Sequence, residues 1–298
     1  VIRIALPLAG VEEPLHESTA AQSATTPRPA RGGRALIVDD SPPARELLRA
    51  MLELSGWHTQ LASGGSEALR WMASEPFDLI LLDYQMPDAD GAETAVALRK
   101  LSQTRRLEHP VYIYLLTANL FAHEQLGKLP AINGVLAKPL SRATLLDLLS
   151  RIEAREVPNV PLAPSVSPAP LDASDAPLDA PLDADVLEDL RALTGRDGQA
   201  VLPRVVAQTR TAQEQHLQEL STALDDAQWD RAAQSAHAIA GQAAMVGAHE
   251  VARQARALQG LLEGGSLGAE QLRPRVEALL SSWRHAERAL QQELVRAR

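Results

Sequence analysis

The chain has 298 residues, 45% of them hydrophobic, a formal charge of −9 and no cysteine. That length accommodates two domains with real cores, and the missing thiols exclude disulfides, cysteine-based zinc sites, iron–sulfur clusters and thiol catalysis. The negative charge and nine aromatic residues argue against unaided nucleic-acid binding.

Residues 1–10 open with an alternating apolar run, VIRIALPLA, and residues 11–33 lack both periodicity and large hydrophobes. A second break, residues 153–182, carries seven prolines and three copies of the string APLDA. Proline at that density forbids helix and sheet ladders, so both breaks read as linkers, 11–33 and 153–182. The four segments from the amino end carry 0, −2, −4 and −3 charges, so no block is basic. No apolar run approaches the ~18 residues that a membrane-spanning helix needs.

Residues 34–152 alternate short apolar runs (35–38, 58–61, 79–82, 111–116, 135–136) with amphipathic stretches such as 44–54. Five such units predict an α/β fold: a doubly wound, five-stranded parallel sheet. Ligands of such a sheet collect beyond the carboxyl ends of the strands. There the sequence places Asp39 and Asp40 after the first strand, Asp83 after the third, Thr117 after the fourth and Lys138 after the fifth. Converging carboxylates repel unless a cation joins them, and oxygen-only ligands suit Mg²⁺. An aspartate in such a cluster can accept a phosphoryl group, with an ammonium and a hydroxyl stabilising its oxygens. Helix capping is the ordinary use of any one of these aspartates; five polar positions at strand ends favour chemistry.

The strings LIVDD (36–40), LILLDYQMPDADG (79–91), LLTA (115–118) and LAKPL (136–140) resemble those of a response-regulator receiver domain. The resemblance implies that Asp83 is the phosphoacceptor and that Mg²⁺ is held by Asp39, Asp40, Asp83 and the backbone carbonyl of Gln85. It also implies that Thr117 is the switch hydroxyl and that Lys138 pairs with the phosphoryl oxygen. Val135 stands where the family usually has an aromatic residue, which removes its aromatic switch.

Residues 183–298 contain no strand-like run and predict an all-α, four-helix-type bundle, with a short helix near 184–193 and longer ones near 200–224, 228–246, 248–262 and 269–296. The third of these has an apolar seam, Ala232, Ala236, Ile239, Ala243 and Val246, with His237 beside it. Ala240, Gly241 and Ala244 follow on the histidine's own face, so nothing bulky is expected to shield the imidazole, unlike the other seven histidines. A neutral imidazole is a competent nucleophile toward an acyl phosphate; close helix packing around an idle histidine is the competing reading.

The run SAHAIAGQAAMVGAHEVARQARALQGLLEGG resembles a histidine phosphotransfer (HPt) domain, which implies that His237 carries a phosphoryl group. The family's usual lysine three residues on is Ala240 here and its serine five on is Gln242, which leaves phosphoryl charge to Arg231, Arg253 or Arg256. Residues 1–10 resemble the last strand of a histidine-kinase ATP-binding domain. The whole therefore resembles the C-terminal part of a hybrid sensor histidine kinase, without the kinase core, acting in a phosphorelay. Its expected partners are a histidine kinase core and a downstream response regulator, with no nucleic acid and no membrane segment, in the cytoplasm. The alternatives are a stand-alone receiver–HPt adaptor and an HPt-like docking module with an inactive His237. Asp88-Ala-Asp90 resembles the nucleophile motif of haloacid-dehalogenase-like phosphatases, but it follows a loop rather than ending a strand.

Overall fold

The computed structural model describes residues 32–86, 89–104, 110–117, 126, 128–154, 181–195, 198–265 and 268–296. The expected kinase remnant at 1–10 and nearly all of both linkers lie outside these residues. No described helix is long and apolar enough to cross a membrane.

The first block is built on five parallel strands, β1 (Arg34–Val38), β2 (His58–Ala62), β3 (Leu79–Asp83), β6 (Tyr112–Thr117) and β7 (Gly134–Ala137), in the order β2-β1-β3-β6-β7. Side chains alternate across a strand with period two, and here that alternation divides the core. Leu36, Val38, Ile80, Leu82, Ile113, Leu115 and Val135 bury into one cluster, while Ala35, Ile37, Leu79, Leu81, Tyr114, Leu116 and Leu136 bury into the other. Burial on both faces explains why these strands read as continuous apolar runs.

Among the described residues, four helices accompany the sheet: α1 (Pro42–Leu54), α2 (Gly65–Ser74), α3 (Gly91–Thr104) and α4 (Arg142–Glu153). α1 starts two residues ahead of the expected stretch, because Pro42 and Pro43 are tolerated in a first turn, where the missing N–H groups have no intrahelical acceptor. A small antiparallel pair, β4 (Gln85–Met86) and β5 (Ala89–Asp90), follows β3 and was not legible in the sequence. Two-residue strands carry too little alternation to show a period.

The second block opens with α5 (Ala184–Ala192), capped by Asp183, whose carboxylate accepts from the N–H groups of Asp185 (2.8 Å) and Val186 (3.2 Å). The long helices are α6 (Leu202–Asp225), α7 (Trp229–Met245), α8 (His249–Glu263) and α9 (Ala269–Arg296). The turn between α7 and α8 is three residues long and contains Gly247 at φ +75°, so the two helices run antiparallel. The predicted seam of α7, from Ala232 to Val246, is fully buried.

The cluster beneath α1 and α4 continues into the bundle. α1 packs against α6, and Glu46 of α1 meets Arg204 of α6 at 3.4 Å.

Candidate functional site

Register brings the acidic residues together. Val38 lies opposite Leu82 in the parallel β1–β3 pair, so Asp39 and Asp83 follow side by side at the point where the strand order reverses. β6 and β7 pair Thr117 with Ala137, which sets Lys138 at the same edge. Carboxylate oxygens of Asp39, Asp40 and Asp83 all fall within 4.8 Å of one another. Lys138 joins two of them, its ammonium donating to Asp39 Oδ2 at 2.7 Å and lying 2.9 Å from Asp83 Oδ2.

Backbone groups hold the carboxylates in place. The Ser41 N–H donates to Asp39 Oδ1 (2.9 Å), and the Gln85 N–H to Asp83 Oδ1 (3.2 Å). Arg45, on the first turn of α1, donates to the carbonyl of Asp39. The Lys138 N–H donates to the carbonyl of the buried Thr117 at 2.8 Å. A Cβ on Gly91 would lie 2.4 Å from the Asp83 carbonyl, so only glycine lets the start of α3 approach the strand end this closely.

Electrostatics mark the cluster as short of positive charge. Burial, reinforced by Asp39 and Asp40 and opposed by Lys138, pushes the Asp83 carboxyl up to about 7. Asp40 is also raised, by burial and then by the charge of Asp39. Burial works against the Lys138 ammonium, but Asp39 and Asp83 outweigh it and raise its pKa. Three carboxylates gathered at one strand edge, two of them raised, offer only hard oxygen donors and fit a divalent cation of the magnesium type.

His237 stands on α7, half-buried. Its Nδ1 lies 3.2 Å from Oε1 of Gln259 on α8, and Gln259 in turn donates through Nε2 to Glu263 Oε1 at 2.7 Å. With the amide oriented by Glu263, Oε1 faces the ring as an acceptor, so Nδ1 carries the proton and Nε2 presents a lone pair. Burial lowers the imidazole pKa against the opposing bond from Gln259, and the charges of Lys138 and Arg256 lower it further. His237 is thus a neutral imidazole at pH 7.

The face beyond His237 differs from the expectation of a bare approach. Ala240 and Ala244 are buried, whereas a Cβ at Gly241 would meet no atom within 4 Å, so the open space lies beside Gly241. Gln259 and Glu263 were missed in the sequence. The usable signal was geometric: in an antiparallel hairpin closed at Gly247, residues at comparable distances from the turn face each other, here His237 ten residues before it and Gln259 twelve after. The two blocks also meet electrostatically, since the charge of Lys138 bears on His237 and that of His216, on α6, bears on Asp40.

A family model described as the response regulator receiver domain matches residues 35–150, and the Hpt domain model matches residues 204–298. The sensor protein GacS of Pseudomonas syringae pv. syringae is 33% identical over 187 residues, covering 59% of this chain and 20% of that protein. The virulence sensor protein BvgS of Bordetella parapertussis is 29% identical over 255 residues, covering 82% of this chain and 19% of that protein. Among solved structures, the receiver domain of a Pseudomonas aeruginosa sensor histidine kinase, with magnesium coordinated in its active-site cleft, is 33% identical. It aligns over 41% of this chain and 98% of that one at a TM-score of 0.37. The chain spans about a fifth or less of the length of these curated relatives.

Proposed function

We propose, from the premise that residues 35–150 are a response regulator receiver domain and residues 204–298 an Hpt domain, that this chain relays a phosphoryl group between Asp83 and His237. A kinase histidine supplies the group to Asp83. His237 then passes it to the receiver of a separate response regulator, or the flow reverses and drains the pathway. The partners on this reading are a histidine kinase core and that regulator, and the setting is the cytoplasm.

In the transfer step, the lone pair of His237 Nε2 forms the N–P bond as the P–O bond to Asp83 breaks and its electron pair returns to the carboxylate. Nδ1 keeps its proton against Gln259, so no separate base is required. Lys138, already bonded to Asp83, follows the phosphoryl oxygens, and Thr117 supplies a hydroxyl to them. Asp39, Asp40, Asp83 and the backbone carbonyl of Gln85 would hold Mg²⁺, which when bound would supply further positive charge to those oxygens. The observation that carries the reading is the packing of α1, the helix that follows Asp39 and Asp40, against α6 and against α7, the helix of His237.

The test is to load the chain with label from a phosphorylated kinase core in the presence of Mg²⁺. Asp83→Asn abolishes all label, whereas His237→Ala leaves an alkali-labile acyl phosphate and no acid-labile phosphohistidine. If His237→Ala alters neither the chemistry of the label nor its onward transfer, the relay through the bundle is refuted.

A further inference from the structure

A phosphoryl group on His237 Nε2 carries close to two negative charges, and α7 offers nothing cationic on the next turn, where Ala240 and Gly241 stand. Lys138 reaches His237 only from the other block, so it cannot remain once the receiver departs. The facing helix supplies the alternative. The bond between His237 and Gln259 fixes the level of α8 against α7. Three residues on from His237 is Ala240, and three back from Gln259 is Arg256. In antiparallel helices of equal rise these two positions lie level, and each shares a face with its anchor through the i, i+3 relation. Arg256 therefore stands level with Ala240 on the facing helix, near enough for its charge to bear on the His237 imidazole.

The other two candidate arginines are engaged elsewhere. Arg231 donates to Gln228 at 3.3 Å on the exposed first turn of α7, and Arg253 makes two bonds to Glu250, at 2.9 and 2.6 Å. Arg256 is half-buried and makes no hydrogen bond or ion pair among the described residues. Burial lowers its pKa without a compensating anion, so an arriving dianion relieves a cost already present.

We propose that Arg256 is the resident cation of the phosphorylated bundle, holding the phosphoryl group of His237 after the receiver has left. The proposal rests on His237 being the phosphoryl carrier but not on transfer from Asp83.

It is tested in the full chain carrying Asp83→Asn, phosphorylated chemically with phosphoramidate, by following the acid-labile label that His237→Ala removes. Arg256→Gln should shorten the lifetime of that phosphohistidine about tenfold, the change that loss of one charge-assisted hydrogen bond brings. Arg256→Lys should restore most of it, and Arg253→Gln should leave it unchanged. Equal lifetimes in the wild type and Arg256→Gln, or an equal loss in Arg253→Gln, overturn the proposal while leaving the relay intact. Absence of any label on His237 overturns both.

Discussion

Asp83→Asn should stabilise the metal-free protein, and the gain should grow with pH. The Asp83 carboxyl titrates near 3.8 in the unfolded chain and at about 7 in the folded one, chiefly because it is buried. A group whose folded pKa is raised binds its proton more tightly in the native state, so its stabilising contribution is complete below pH 3.8 and lost as pH rises through about 7. A gap of about three units, at 1.36 kcal/mol per unit, gives a penalty approaching about 4 kcal/mol above neutrality. At pH 5 little more than a third of that penalty has developed, so between pH 5 and pH 8 the advantage of the variant should widen by roughly 2–3 kcal/mol. Urea unfolding in the presence of a chelator, followed through the buried Trp57 of the same block, reads this directly. Saturating Mg²⁺ should shrink the difference by stabilising only the wild type. A difference that stays flat from pH 5 to pH 8, or a wild type more stable than the variant at pH 8 without metal, refutes the reasoning.

Other perturbations follow from the same geometry. Because burial lowers the pKa of His237, its acceptance of a phosphoryl group should fall at a lower pH than an ordinary imidazole's would; Gln259→Leu removes an opposing bond and should move the fall to still lower pH. Arg99 donates to the carbonyls of Ala131 (2.9 Å) and Val111 (2.7 Å) and to Asn133 Oδ1 (2.7 Å), which also accepts from the Ile113 N–H (2.9 Å), so Arg99→Met, which removes all three of its bonds, should cost about 3 kcal/mol in urea unfolding of the sheet block. Gly247→Ala places a Cβ 3.1 Å from Asp183 at φ +75°, and should lower bundle stability by about 1–2 kcal/mol, read through the buried Trp283.

Much of this was legible in the chain. The parallel sheet announced itself because four of its strands, β1, β3, β6 and β7, are buried on both faces, and each of these ends at or just before a polar residue whose position the apolar run marks. Asp39, Asp83 and Lys138 could be named because strand ends in this topology converge, and the structure brings them within bonding distance. The orientation of His237 was not legible. It depends on Gln259, which lies on another helix and whose residue type is ordinary on any helix surface; only the turn at Gly247 tells how the two helices align. The shielding of Ala240 was misread for a related reason: a small residue marks where another chain segment can come close, and does not say whether one does. The contact between α1 and α6 had no sequence signal, since Glu46 and Arg204 each read as ordinary solvent-facing charges.

That contact bears on how the two halves behave when parted. Glu46 is 6% exposed, screened by Arg49 of its own helix and Arg204 of the other block. Cutting the chain within the proline-rich stretch strips water-shy surface bare on both fragments, on α1 of one and α6 of the other. Each fragment then has a patch that favours self-association. Covering it is a service each block performs for the other, so the intact chain should be more soluble than its parts.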